Sequence, residues 1–295
     1  MNLVVLAAGQ SHRLRSLNAD RPTALVPFLG RPLLDWTLSA AKECGIGDVT
    51  VVGGYMFESL QNYQVRLLRN ADFASTSMVG SLMVADHLFG DEVVVSYGDT
   101  AFRPEVLRTL LASTAEIGVV VDLDWQPYWE RRFGDPLLDA RSLRMLPDGK
   151  IRSIGQAVNR IEDAQAQFAG LVVFRGRGVK ALRRAWQRAQ ADAMYRRPIL
   201  GHCNALHQLT LTDVLDELIT GDVPVMAVPV HGGWVEIDTP DDVAAAEERW
   251  GQTPKSEPIP AGPGTHPGSG GPSSGGDTGG QGPGSLPTIY PVRRW

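Results

Sequence analysis

Short apolar runs ending in small residues alternate with segments of helical spacing over the first 250 positions. Leu3–Leu6, Asp48–Val52, Glu92–Ser96 and Gly118–Val121 are apolar stretches too short for helices. They carry the pattern of strands covered on both faces of a parallel sheet. Between the first two, Arg31 to Cys44 sets Leu33, Leu34, Leu38 and Ala41 at helical spacing. Pro32 stands near its start and Gly45 just beyond its end. This is a βαβ unit. Phe57–Asn62 reads as a short helix, Val65–Arg69 as a strand, and Met78 to Leu88 as a helix with Val79, Leu82 and Ala85 on its apolar side. Pro104–Thr114 is a further helix.

The middle of the chain changes character. From Asp122 to Asp139 aromatics and charges crowd together, with Trp125, Tyr128, Trp129, Arg131, Arg132 and Phe133. Leu143–Leu146 and Ile151–Ile154 flank Pro147-Asp148-Gly149-Lys150, a hairpin with an Asp-Gly turn. Phe168–Phe174 is a strand, Val179–Ala193 an amphipathic helix rich in arginine, and Leu211–Ile219 a helix with a threonine cap. Val223–Pro229 is the last long strand, and Thr239-Pro240-Asp241-Asp242 opens a helix to Trp250. The elements predict an α/β fold, a three-layer α/β/α arrangement around a mostly parallel Rossmann-like sheet, with a small hairpin and aromatic insertion. Residues 1–250 form this domain. From 251 to 295 Pro, Gly, Ser and Thr dominate, and such a segment buries too little surface to offset its ordering entropy, which predicts a disordered tail.

Composition narrows the class. Of 295 residues, 43% are hydrophobic and 21% charged, the balance of a soluble globular protein. The net charge of −5 offers no global field for nucleic acid or an anionic membrane. Cys44 and Cys203 lie far apart in sequence, so a disulfide framework and a structural zinc site are not expected. A strand follows Met1 directly, without a basic leader, and no apolar run is long enough to span a bilayer. Together these predict a cytoplasmic protein with no nucleic-acid or membrane partner. The sequence leaves room for a homodimer.

Candidate chemistry sits at the ends of the apolar runs. Leu6, Ala7, Ala8 and Gly9 close the first strand in small residues, which lets a ligand lie against backbone N–H groups. Arg13 and Arg15 follow, forked donors suited to phosphate oxygens. The alternative is an ordinary strand–turn–helix connection with surface arginines. Gly98-Asp99 follows the Glu92–Ser96 strand, placing a carboxylate where α/β sheets hold ligands; an Asx turn closing that strand is the other reading. Glu236 and Asp238 alternate with Ile237, so on a strand both point to one face. With Asp99 they make a metal site, or Asp238 caps the last helix. Trp125, Tyr128 and Trp129 form either a box for a quaternary ammonium or a flap packed over the sheet.

Nine segments in order carry a resemblance. LAAGQSHRL, RPTALVPFLGRPLL, NADFASTSMVGSLMVA, VVVSYGDTAFRPEVL, DLDW with RRFGDPLLDA, DGKIRSIG, QFAGLVVF, LTDVLDELI and WVEIDTPDDV run from Met1 to about Trp250. The chain resembles the nucleotidyltransferases of the nucleotide-sugar pyrophosphorylase superfamily, nearest to bacterial choline-phosphate cytidylyltransferases. The resemblance implies the nucleotide-diphospho-sugar transferase fold. It implies attack of an acceptor's phosphate or phosphonate oxygen on the α-phosphorus of a nucleoside triphosphate, CTP in the nearest relatives, with pyrophosphate leaving. Acceptors would be small phosphorylated or phosphonate alcohols or amines such as phosphocholine, or else sugar 1-phosphates.

On this resemblance Leu6, Ala7, Ala8 and Gly9 line the base and ribose, and Ser11, Arg13, Thr23 and Gly98 the phosphates. Arg13, Asp99 and Asp238 act in catalysis; Asp99, Glu236 and Asp238 hold Mg2+; and Trp125, Tyr128 and Trp129 meet the acceptor. Four positions depart from the family. Ser11 replaces a glycine, Thr23 stands where a lysine usually meets the phosphates, Ser77 stands where the family often has asparagine, and Gln156 lies near another expected lysine. Loss of one charge-assisted contact in such a site costs on the order of 3 kcal/mol. Arg15 or Arg21 is the expected compensation, unless Arg21 pairs with Asp20 or Asp35. A catalytically weakened nucleotide-binding homologue is therefore the rival expectation.

Overall fold

The computed structural model describes residues 1–252, without the side chains of Arg15 and Ser16. The expected disordered tail thus lies almost wholly outside the described residues. The chain enters on strand β1 (Asn2–Ala7), crosses a 3-10 turn (His12–Asn18) and a small ladder of β2 (Pro27–Phe28) with β3 (Arg31–Pro32), and reaches helix α1 (Leu33–Glu43). There follow β4 (Val49–Gly53), β5 (Arg66–Arg69), α2 (Met78–Val84), β6 (Glu92–Tyr97), β7 (Thr100–Phe102), α3 (Pro104–Ala112) and β8 (Ile117–Asp122). Then come α4 (Gln126–Phe133), β9 (Arg141–Met145), β10 (Ile151–Ala157), β11 (Gln167–Arg175), α5 (Arg177–Met194) and α6 (Leu211–Thr220). The chain ends its described course on β12 (Met226–Val230), β13 (Trp234–Glu236) and α7 (Pro240–Gln252).

Seven strands form the central sheet in the order β12-β8-β11-β6-β1-β4-β5. The β1/β4, β1/β6, β4/β5 and β8/β12 pairs are parallel. Strand β11 runs antiparallel to both β6 and β8, because it returns from the β9/β10 hairpin rather than from a crossover helix. Successive residues of each central strand face opposite sides. Leu3, Val5 and Val94 therefore join the core that packs α1, α3, α4 and α7, with Leu33, Leu107, Trp129 and Ala246. Val4, Val93 and Val95 join the core that packs α2, α5 and α6, with Leu82, Leu182 and Val214. This is the expected three-layer α/β/α fold, with one strand reversed.

Two elements differ from the sequence pattern. The aromatic stretch after Asp122 is a helix, α4, whose Tyr128 and Trp129 are buried. Its high charge hid the period, because the charged Arg132 lies on the buried side. The segment from Met78 to Leu88 breaks after Val84, and a 3-10 turn (Asp86–Leu88) completes it. Among the described residues, no helix is long and apolar enough to cross a membrane.

Candidate functional site

Strands β1 and β6 are parallel neighbours in register, Leu6 beside Tyr97, so both leave the sheet at the same edge. Ala8 and Gly9 thus emerge next to Gly98 and Asp99. Gly98 has its own structural reason to be glycine. A Cβ there would lie 2.5 Å from the Leu6 carbonyl oxygen and 3.2 Å from Ala7 Cα, so a side chain would push the two strand ends apart. Gly9, in contrast, is exposed and has open space around its Cα.

A second small ladder closes the edge. β7 pairs antiparallel with β13, setting Glu236 against Thr100, and Ile237 N–H donates to the Asp99 carbonyl at 2.9 Å. β13 ends at Glu236, and Asp238 follows in the turn that starts α7. Asp99, Glu236 and Asp238 nevertheless converge, with one carboxylate oxygen from each within 4.8 Å of the others. All three are buried, Asp238 at 1% exposure.

Arg132 runs into this cluster from α4. Its guanidinium is fully buried and reaches Glu236 Oε2 at 3.1 Å, Asp238 Oδ2 at 3.4 Å, and Asp242 Oδ1 and Oδ2 at 2.9 and 3.0 Å. Asp242, on the first turn of α7, accepts the backbone N–H groups of Asp238 and Thr239 at 2.9 and 2.8 Å. Burial raises the Asp242 pKa, but the hydrogen bonds and charge of Arg132 and these two N–H groups outweigh it and hold the carboxyl below its ordinary value. For Arg132 burial works against the charged form, and the surrounding Tyr128, Glu236 and Asp242 overcome it and keep the guanidinium charged.

The arginine that sequence reasoning placed on the triphosphate, Arg13, has Nη2 2.9 Å from Asp238 Oδ1, with its side chain 40% exposed. The charged groups named so far are four carboxylates and two guanidiniums, a formal excess of two negative charges. Three converging hard carboxylate oxygens in a buried setting fit a divalent cation of the Mg2+ or Ca2+ type.

The aromatic trio does not form an open box. Trp125, Tyr128 and Trp129 are 3%, 2% and 2% exposed and stack edge-to-face on one another. The cation on these rings is Arg132, 5.3 Å from the Tyr128 centroid and 5.2 Å from that of Trp129. Tyr128 also clamps the chain at Glu236: its hydroxyl donates to the Glu236 carbonyl at 2.9 Å and accepts the Glu236 N–H at 3.3 Å. Burial pushes the Tyr128 phenol above its ordinary pKa, so it stays protonated. Of the three, only Trp129 reaches the large cavity beside the cluster. That cavity, about 610 Å³, is bounded by Trp129, Trp234 and Glu236 at one side and by the segment from His202 to Asp213 at another.

At the β1 turn, Thr23 Oγ1 accepts the Ser11 N–H at 3.3 Å, and Ser11 Oγ donates to the Asp238 carbonyl at 3.4 Å. Thr23 and Ser11, two of the departures from the family pattern, therefore brace the turn after β1 against the acidic cluster. Arg21 is bound to Asp20 at 2.7 and 3.0 Å, whereas Asp35 accepts the Tyr63 hydroxyl at 2.8 Å. Arg21 thus takes the Asp20 alternative. Gln156 lines the cavity.

Sequence reasoning missed Arg132 and the role of Asp242. A signal existed: Tyr128 and Arg132 are four apart, on one face of a helix. Arg131, one position earlier, is exposed and pairs with Glu248 at 2.8 Å.

The buried carboxylate cluster lies at the carboxyl ends of a largely parallel sheet, where α/β folds bind their ligands. The chain belongs to the family of the MobA-like NTP transferase domain, whose model matches residues 3–202. Glu236 and Asp238 lie beyond that match. The chain is 28% identical over 260 residues to CTP:phosphoglutamine cytidylyltransferase of Campylobacter jejuni, covering 84% of this chain and all of that protein. It is 30% identical over 118 residues to choline-phosphate cytidylyltransferase of Streptococcus pneumoniae, 39% of this chain and 52% of that one. The solved structure of the Streptococcus pneumoniae CTP:phosphocholine cytidylyltransferase superposes with a TM-score of 0.62 at 20% identity, over 84% of this chain and 97% of that chain. The fold is thus that of the nucleotide-diphospho-sugar transferases.

Proposed function

We propose that residues 1–250 form a magnesium-dependent cytidylyltransferase that works in the cytoplasm. It transfers CMP from CTP to a small phosphorylated or phosphonate alcohol or amine and releases pyrophosphate. The observation that carries this reading is the meeting of Asp99, Glu236 and Asp238 within 4.8 Å, beside a cavity of about 610 Å³. The relatives named above supply the choice of CTP. An acceptor oxygen forms the new bond to the α-phosphorus, and the bond from that phosphorus to the β-phosphate oxygen breaks. Asp99, Glu236 and Asp238 would hold the cation, which when bound neutralises charge on the phosphates.

The chain's own residues align and screen the reactants. Arg13 bridges the nucleotide turn and Asp238, so it sits where it can follow phosphate charge. Ser11 and Thr23 keep the turn folded against the cluster. Arg132 and Tyr128 fix Glu236 from two directions and pre-orient the carboxylates. Pyrophosphate release, measured with each of the four ribonucleoside triphosphates and a panel of acceptors, tests the reading. It predicts turnover with CTP in preference to the others, and silence across the panel contradicts it.

A second reading, a weakened nucleotide binder, is favoured by one observation. Thr23 carries no charge, and its hydroxyl is committed to Ser11. Thr23→Lys separates the two: activity that appears only in that variant establishes the weakened binder.

A further inference from the structure

The turn that follows β1 is fixed at both ends by groups from further along the chain. At its first end the Ala8 carbonyl accepts the Tyr55 N–H at 3.0 Å. At its second end every polar group of Ser11 is engaged. Its N–H donates to Thr23 Oγ1 at 3.3 Å, and its hydroxyl donates to the Asp238 carbonyl at 3.4 Å. Its carbonyl accepts the Asn18 side-chain amide at 2.8 Å and the Leu14 N–H at 3.1 Å. Ser11 stands just before the 3-10 turn (His12–Asn18), yet its hydroxyl caps nothing there. Serine at such a position ordinarily turns its oxygen to the N–H groups that follow. Here the hydroxyl goes instead to the residue that carries one of the clustered carboxylates.

Asn18 makes the shortest of these bonds and is 1% exposed. Its amide is itself held in place. Leu14, in the same 3-10 turn, is fully buried in the core that packs α1. The Ala19 carbonyl, next in the chain, accepts the Tyr55 hydroxyl at 2.8 Å. Tyr55 thus spans the turn, with its N–H on Ala8 and its hydroxyl on Ala19. The consequence is electrostatic. A carbonyl oxygen is the negative end of its peptide group, and one left free beside a polyphosphate repels it. The Ser11 carbonyl is instead bound by two buried residues, Asn18 and Leu14. Exposed Gly9 and half-buried Gln10 lie between the two fixed ends, so the turn meets a ligand already shaped.

We propose that Asn18 is a positioning residue for the nucleoside triphosphate: by binding the Ser11 carbonyl it holds the turn from Ala8 to Arg13 in the form that receives the phosphates. The proposal rests on the cytidylyltransferase reading for the identity of the ligand. Asn18 acts through Ser11 and on the nucleotide alone. Among the described residues, none from this turn lines the cavity of about 610 Å³ beside the cluster.

Calorimetric titration of the full-length protein, with Mg2+ and a CTP analogue carrying a methylene group between its α- and β-phosphorus atoms, tests it. Wild type is compared with Asn18→Leu, which keeps the branching of the side chain but not its N–H, and with Tyr55→Phe, which frees the Ala19 carbonyl. Asn18→Leu is expected to bind the analogue about tenfold more weakly and Tyr55→Phe about threefold, as when a buried carbonyl loses its donor or that donor is loosened. The KM for phosphoethanolamine at saturating CTP is expected to stay within about twofold, which a general loss of structure would not allow. Wild-type affinity in Asn18→Leu overturns the proposal, as does a rise in the acceptor KM matching the loss for the nucleotide. If Asn18→Leu does not fold, Tyr55→Phe decides, and unchanged affinity there overturns the proposal. Binding of the analogue without pyrophosphate release from CTP counts against the transferase reading alone, and the calorimetric ratio still decides this proposal. Absence of binding by the wild type overturns both.

Discussion

Arg132 grips Asp242 with both arms of its guanidinium, Nε to Oδ1 at 2.9 Å and Nη2 to Oδ2 at 3.0 Å, in a fully buried setting. The same guanidinium touches Glu236 and Asp238, so one side chain from α4 holds together the turn that carries two of the three clustered carboxylates. Replacing it with an apolar side chain of similar length removes the buried guanidinium that Glu236, Asp238 and Asp242 share. Breaking a buried ion pair on one side costs roughly 3–5 kcal/mol. Arg132→Met is expected to lose stability on that scale in urea denaturation, and millimolar Mg2+ is expected to restore part of it. Arg132→Lys keeps the charge but not the fork, and falls between the two.

Asp122 supports the site from the opposite side. Fully buried at the end of β8, it accepts the Gly232 N–H and the Trp234 indole N–H, both at 2.9 Å, and is paired with Arg249. These bonds fix the entry to β13 and so the position of Glu236. Asp122→Ala removes the carboxylate that pairs with Arg249 and leaves the Trp234 indole N–H without its acceptor. The expected loss is about 3–5 kcal/mol, seen as a lower urea midpoint. Asp122→Asn, which can still accept from Trp234, loses less.

The two thiols report on the cavity. Burial pushes both Cys44 and Cys203 above their ordinary pKa. A raised thiol pKa means little thiolate at neutral pH, so alkylation should be slow at pH 7 and accelerate about tenfold per unit as pH rises toward the pKa. Cys203 lines the cavity, whereas Cys44 ends α1 and contacts the Pro104 carbonyl. A bound acceptor is therefore expected to protect Cys203 and leave the labelling of Cys44 unchanged, as read by mass spectrometry of the alkylated peptides.

The fold was largely legible in the sequence because its core strands are continuous apolar runs, which admit few other readings. Val93, Val94 and Val95 are all fully buried, as the pattern requires. The convergence of Asp99 with Glu236 and Asp238 was also readable, since residues at the ends of sheet strands gather at one edge. The aromatic stretch misled for a physical reason. A cation–π contact looks the same in sequence whether the cation is a ligand or an arginine four residues on, and here Arg132 supplies it. Likewise Thr23 looked like a lost contact, whereas in three dimensions its hydroxyl takes up the Ser11 N–H. Side-chain partners more than a hundred residues apart, such as Arg132 and Asp242, leave no local pattern to read.

Under the proposed function, nucleotidyl transfer takes place at the Asp99, Glu236 and Asp238 cluster. Mass-spectrometric detection of the CDP-linked product, from CTP and phosphoethanolamine with Mg2+, tests it most directly when wild-type protein is compared with Asp99→Asn. Product from the wild type and a rate at least about a hundredfold lower in the variant are the expected result, since the substitution removes a ligand to a charge-neutralising cation. Product formed at the wild-type rate by Asp99→Asn would contradict it.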